Sequence, residues 1–532
     1  MDRKDRALRR IEKSKLNTKV TLITSIVMGV FSFAERTVFN QFFIDEYLGI
    51  NSFINSIIYI LSFLEMGLYS AVGFALYAPL EYEDQQQINA IMRFFRNAYF
   101  IIGTVMLTAG LALVPFMHMF IRTSVDINHV RVYFLILLVA NVSAYYLNYT
   151  SILMNANQEQ YKISLVTNLT WTVLYLAEMI IAVTTQNFLF YTIAVLIANL
   201  SKNIILRLIA KCDFPLLDTG KKSGSINPEI KNRIVKNTKG LIITKLGSVL
   251  VTSTDALLIS MLVGTAVLGK YSNYQMIYMG LFSISNLLPQ SIIASLGNAG
   301  VTETKRTMSR GFEVLNLSSY FIYATLTIMM LNIYTPVISA FFGADRILPF
   351  STVCLICMVF YMNSMREILL SYKASLGLYW EDRKRPILEG LTNLIISIIL
   401  GYFWGLNGIL LGTVITAICI NLVIEPRVIF HEGFSRSAYW FYVSTVLRFL
   451  LAVIISVVSL SINSFLRVSE RITFEIMIGS FRIGVGDLLA VISNAAVAVA
   501  VTIAFFLLFY RKTESVKIII QTLKMKTSGI KK

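Results

Sequence analysis

Residues Ile387 to Pro426 read ILEGLTNLIISIILGYFWGLNGILLGTVITAICINLVIEP, with one glutamate near each end and no other charge between them. A helix needs about 20 apolar residues to cross the hydrocarbon layer of a bilayer. This stretch is twice that length, and Trp404 to Gly408 supplies a glycine-bearing break at its middle. It predicts two antiparallel membrane helices, 387–404 and 407–426, joined by a tight external turn.

The same pattern recurs along the whole chain. Spans are expected at 20–43, 52–78, 98–121, 132–154, 163–184, 188–210, 240–263, 271–296, 313–342, 350–372, 387–404, 407–426, 439–463 and 485–510. Composition agrees: 56% of residues are hydrophobic and 14% charged, against about 25% charged in an ordinary soluble protein. The basic stretch Arg3 to Lys19 precedes an apolar run reaching about Phe43. That run holds Glu35 and Arg36 and lacks a small-x-small cleavage site, so it reads as a retained first helix.

The net charge of +17 does not point to nucleic acid, because the cations sit in alternate loops. With the N-terminus inside, 34 lysines and arginines fall in the cytoplasmic tails and loops. Seven fall opposite: Arg122, Arg131, Lys270, Arg346, Arg467, Arg471 and Arg482. This asymmetry predicts a multi-pass protein with both termini in the cytoplasm. Cys354 and Cys357 form a C-x-x-C inside an apolar segment, Cys419 lies in another, and all three read as small buried hydrophobes. There is no Walker A loop, and His118, His129 and His431 lie far apart, so no enzyme and no cofactor is expected.

The polar stretch 211–239 divides the chain. The expected organisation is a basic cytoplasmic tail 1–19, a six-helix lobe 20–210 and a cytoplasmic linker 211–239. A second six-helix lobe 240–426, two added helices within 427–510 and a basic tail 511–532 follow. Weak self-similarity crosses the linker. Gln160 onward resembles Lys384 onward, matching Thr167-Asn168 to Thr392-Asn393, and the segment after Arg36 resembles that after Asp255 at an offset of 219. Both copies start on the cytoplasmic side. The expected fold is therefore an all-α integral membrane protein of about 14 helices, with two parallel six-helix lobes around a central cavity and a C-terminal helix pair.

Ionisable groups inside spans are costly, at least ~2.5–3.5 kcal/mol at the centre, so they face protein or water. The candidates are Glu35 and Arg36, Glu65, Glu178, Lys245 and Asp255, Arg366 and Glu367, and Arg448. Two readings stand. Arg36 pairs with Glu65 or Asp255, and Arg366 with Glu367 or another carboxylate, pinning helices together. Alternatively, Arg36, Lys245 and Arg366 line a wet cavity for an anionic substrate, to which a guanidinium donates two hydrogen bonds at once. Tyr145, Tyr146, Tyr149, Tyr271 and Tyr274 are read as an interfacial aromatic belt in preference to sugar-stacking groups. Pro115, Pro289 and Pro336 are expected to kink their spans. The basic residues after Arg511 are expected to lie on anionic lipids.

Several segments resemble bacterial polysaccharide transport proteins, the Wzx-type flippases of the multidrug/oligosaccharidyl-lipid/polysaccharide (MOP) exporter superfamily. They are YLGINSFINSIIYILSFLEMGLYSAVGFALYAPL from Tyr47, KLGSVLVTSTDALLISMLVGTAVLGKYSNY from Lys245, SLGN at Ser295 to Asn298, and the stretch from Gly377 through Glu425-Pro426. The resemblance implies alternating access and a substrate of undecaprenyl pyrophosphate carrying an oligosaccharide, flipped to the outer leaflet of the bacterial inner membrane. It makes Arg36, Lys245 and Arg366 headgroup ligands, and Glu35, Glu65, Asp255 and Glu367 charge partners or sites of coupling to a Na+ or H+ gradient. Implied partners are anionic lipids, a polysaccharide polymerase and glycosyltransferases. A drug exporter, a lipid II flippase and a non-transporting scaffold of a synthase complex are the alternatives.

Overall fold

A computed structural model describes residues 3–220, 226–286, 289, 296, 303–467, 475–478 and 481–517. The side chain of Lys245, most of SLGN and the lysines beyond 517 lie outside the described residues. The chain forms two compact units, Met1–Gly269 and Lys270–Lys532.

The first unit begins with an unbroken helix, Arg3–Phe42, so the basic stretch expected as a tail is helical from its start. Asp45–Leu61 and Glu65–Glu81 follow, joined by a 3-10 turn at Ser62–Leu64. Gln85–Leu113 runs on through a 3-10 turn at Val114–Phe116, where Pro115 cannot donate the helical hydrogen bond. Then come Ile127–Leu147, the short Ser151–Ala156, Gln160–Thr184, Phe188–Asp213 and Pro228–Leu262. Four of these helices start where an Asp or Asn side chain accepts a backbone N–H of the first turn: Asp84, Asp126, Asn187 and Asn227. At the last, Pro228 fills the first helical position.

Thr265–Ser285 crosses the unit boundary. The second unit continues with Lys305–Val337, which passes after Pro336 into a π-helical turn, Ile338–Phe342. Phe350–Ser375, Arg385–Thr416, Tyr439–Leu466 and Val485–Tyr510 complete its long helices. Before the last of them lies a small addition to the all-helical expectation. Glu475–Ile478 and Phe481–Gly484 pair antiparallel, with Ile478 opposite Phe481.

The stretch 387–426 turns where its glycines stand. Gly405 has φ 57° and ψ −133°, a conformation closed to residues with a Cβ. A Cβ on Gly408 would land on the Leu400 carbonyl and one on Gly412 against the Ser397 side chain, so the two arms meet backbone to backbone. The helix beyond the turn is not regular. π-turns at Ala417–Asn421 and Ile429–Gly433 bracket Leu422–Val428.

Among the described residues, ten helical stretches are long and apolar enough to span a membrane, and the hairpin 385–433 is one of these although it crosses twice. Adding 45–81, 228–262 and 265–285 gives the fourteen passes expected. Their outward faces are apolar: Val446, Leu447, Leu450, Val453, Ile454 and Val457 on one helix are all exposed, as lipid contact requires. Tyr402, Phe403 and Trp404 stand out at the hairpin turn, and Tyr439 and Trp440 at the start of the helix after it, marking headgroup levels. The chain is a multi-pass membrane protein.

The repeat is visible inside the first unit, with its register moved by one residue. A Cβ on Gly49 would strike the Thr265 carbonyl, and one on Gly269 the Asp45 carbonyl. Each glycine therefore receives the carbonyl four residues before the other, at an offset of 220. Asn168 and Asn393, matched across the linker, are both buried and both donate to a threonine, Thr24 and Thr413 respectively.

Candidate functional site

The second unit holds a buried network of charge. Arg366, midway along Phe350–Ser375, places Nε 2.9 Å from both carboxylate oxygens of Glu425 and Nη2 2.8 Å from Oε1. Its Nη1 and Nη2 also reach Glu389 at 3.1 and 3.2 Å. Arg385, which opens the next helix, holds Asp382 through Nε at 2.9 and 3.0 Å and pairs with Glu389 one turn on. It also reaches Glu425 at 3.1 Å and Asn421 at 3.0 Å. Asn421 donates to Glu389 at 2.7 Å, and Lys373 ends the chain on Asp382 at 2.5 Å.

Three cations thus face three carboxylates, and ionised they sum to zero. Glu425 is 1% exposed, Asp382 4% and Arg385 5%. Burial at that depth is tolerable only because each charge has opposite partners and the spare lone pairs have donors. The π-turn at Ala417–Asn421 inserts an extra residue into the helix frame, the kind of irregularity that recurs at functional sites. A cavity of about 50 Å³ opens beside Arg366 and Glu425, with Asn316, Asn363 and Asn421 in its wall. Its wall is largely apolar apart from these groups, and it is large enough for water.

The first unit treats its acids differently. Each oxygen of Glu65 accepts a tyrosine hydroxyl at 2.6 Å, from Tyr99 and from Tyr145. Glu35, 6% exposed, accepts Tyr191 at 2.9 Å, and Glu178, 2% exposed, lies within electrostatic reach of Glu35 and Arg36. Lys202, deep in Phe188–Asp213, stands over the Trp171 ring at 5.5 Å and donates to Asn199.

Of the residues singled out from sequence, Glu35 and Arg36 fall in one cluster and Glu65 in another. Glu65 meets tyrosines in the structure instead of Arg36. Asp255 lies on Pro228–Leu262, as does Lys245, whose side chain is outside the described residues. Arg366 finds another carboxylate, the Glu389 and Glu425 pair, instead of Glu367 beside it. The aromatic-belt reading fails for Tyr145, Tyr149, Tyr271 and Tyr274, which are all buried. Tyr145 holds Glu65, and Tyr274 accepts the Leu348 N–H at 2.9 Å. Sequence reading missed Asp382, Arg385, Glu389 and Glu425 as a group because each stands at a predicted helix end or in the loop between two spans, where a charge needs no explanation. Lys202 was readable, lying well inside an apolar span.

No protein-family model matches the chain, and no curated protein matches it by sequence. Solved structures do. The lipid II flippase MurJ in an inward closed conformation matches with a TM-score of 0.60 at 12% identity, over 92% of this chain and 98% of that one. An inward-facing multidrug resistance MATE family transporter of the MOP superfamily gives 0.63 at 12% identity, over 78% and 99%. A mutant of the Vibrio cholerae MATE transporter VcmN gives 0.52 at 12% identity, over 80% and 99%. The fold is the one these transporters share.

Proposed function

We propose that the protein is a flippase that carries undecaprenyl-pyrophosphate-linked oligosaccharide repeat units from the inner to the outer leaflet of the bacterial inner membrane. The observation that supports this best is the extent of the match to MurJ, 92% of the chain against 78% for the MATE transporter. The difference is about the size of the helix pair 439–510. A flippase of a lipid-linked substrate is therefore favoured over a drug exporter.

In this reading two lobes alternate access, and Arg36, Lys245 and Arg366 contact the pyrophosphate. Arg366 would do so by exchange. Its fork is held by Glu389 and Glu425, and a pyrophosphate offers the same planar pairs of acceptors with more charge. Glu65, Glu35, Asp255 and Glu367 would take up protons or sodium ions as the cycle resets. Both termini would be cytoplasmic, and the product would pass to a polysaccharide polymerase supplied by glycosyltransferases.

The test is a flipping assay in proteoliposomes with defined lipid-linked sugars. A short undecaprenyl-pyrophosphate oligosaccharide should cross, and R36A with normal abundance should lower its rate at least tenfold. Transport of lipid II alone would instead support the peptidoglycan precursor as substrate, the reading that the MurJ fold favours second. Movement of organic cations without any lipid flipping would overturn both.

A further inference from the structure

Arg448 lies on Tyr439–Leu466, six residues after Tyr442, and takes no part in the network around Arg366. Its guanidinium stands 5.7 Å from the centre of the Tyr320 ring, while its backbone carbonyl accepts the Tyr320 hydroxyl at 3.0 Å. Its Nη1 is buried and has no hydrogen-bond partner. The Tyr361 side chain is 4% exposed, and its hydroxyl is likewise buried with no partner. The two are close enough for the arginine charge to act on that hydroxyl. Two unmet donors in one apolar place, one of them cationic, are costly unless an acceptor visits them.

The surroundings say where that acceptor comes from. Tyr320, Tyr361 and Ala452 share a core cluster with Val516, and Phe449, Phe506 and Tyr510 pack against it. The Tyr320 and Tyr510 rings are 6.0 Å apart. Tyr510 ends the last long helix, and Arg511 and Lys512 follow it at once. So the unmet donors sit one aromatic layer below the level at which the chain leaves the membrane with a basic run. The small cavity near Arg366 shares Tyr361 in its wall, with Asn316 and Thr445.

We infer that Arg448 and the Tyr361 hydroxyl form a lateral site for the phosphate of an anionic lipid headgroup, entered beside Tyr510 from the leaflet facing the basic tail. The lipid's phosphodiester accepts from Nη1 of Arg448 and from Tyr361, its chains lie along the exposed apolar face of Tyr439–Leu466, and Arg511 and Lys512 steer it. The site borders the cavity beside Arg366 through Tyr361 but draws its donors from neither Arg366 nor the other proposed substrate ligands, Arg36 and Lys245. A free phosphate has the same acceptors without the chains.

Native mass spectrometry of the full-length protein, titrated with phosphatidylglycerol, phosphatidylcholine or inorganic phosphate, tests the site. One phosphatidylglycerol should bind at least tenfold more tightly than phosphatidylcholine. R448Q should remove that preference and Y361F should weaken it severalfold, with R448K, which keeps the charge, in between. Capture of inorganic phosphate with no gain from lipid chains would overturn the lipid assignment. Equal lipid binding by R448Q and the parent would overturn the site itself. Should R448Q fold poorly, Y361F and R448K decide, and unchanged selectivity in both also overturns it.

Discussion

In the first unit Glu35 and Glu65 end on tyrosine hydroxyls; in the second Glu389 and Glu425 end on guanidinium groups. Glu65 has Tyr99 and Tyr145, and Glu35 has Tyr191, whereas Glu389 and Glu425 share Arg366 and Arg385. A hydroxyl-held carboxylate can gain a proton and leave no stranded charge, since the tyrosine still has a hydrogen-bond partner. An ion-paired one cannot, because neutralising it leaves a buried arginine uncompensated. The first arrangement suits groups that exchange a proton or cation. The second suits a bracket across three helical segments, opened only by another anion.

The sharpest way to break the comparison is to remove one acid from each side. E425Q should cost about 3–5 kcal/mol, the usual penalty for stranding a buried partner, read as a large fall in thermal unfolding temperature in detergent. Adding R366M to E425Q should recover a good part of the loss, because one stranded charge is then gone. E65Q should cost under about 1 kcal/mol, since an amide oxygen still accepts one tyrosine. Equal losses from E65Q and E425Q would show that the tyrosine-held acids are as fixed as the paired ones.

The next effect tests the hydroxyls themselves. Y99F and Y145F each remove one donor from Glu65 and should each cost about 1.5–3 kcal/mol, as hydrogen bonds to charged groups do. The double variant should depart from the sum, because both hydroxyls serve one carboxylate and their losses are coupled. Strict additivity would mean that the two hydroxyls act independently.

Much of this contrast was hidden in the sequence, and for a physical reason. Span number, the turn at Gly405 and the parallel repeat follow from hydropathy and glycine placement, which are local properties of the chain. Arg366 was visible as a charge in an apolar run, and so was Glu65. Their partners were not visible. Glu389 and Glu425 lie 36 residues apart, one at each end of the hairpin, and converge only because the hairpin folds its ends together. The tyrosines were misread because a tyrosine near a helix end suits a lipid headgroup and a buried carboxylate equally well. Position in sequence does not say which way the ring points. The register of the repeat slipped by one residue because apolar residues align with one another at either offset, and only the reciprocal seating of Gly49 and Gly269 separates the two.

The smallest effect belongs to an acidic cluster with access to solvent. Glu159 takes Lys13 at 3.2 Å and Lys162 at 3.1 Å, and Lys162 continues to Asp213 at 2.7 Å. The Lys13 side chain is 37% exposed, so its pair is weakened by water and by salt. K13A should cost about 0.2–1 kcal/mol at low ionic strength. Raising salt to 1 M, where the screening length falls to about 3 Å, should erase the difference from the parent. The E425Q defect should persist unchanged in the same titration, because salt does not reach a glutamate that is 1% exposed. If salt narrowed both defects alike, the network around Arg366 would be as wet as the surface pair, and its carboxylates would be as free to exchange as those of the first unit.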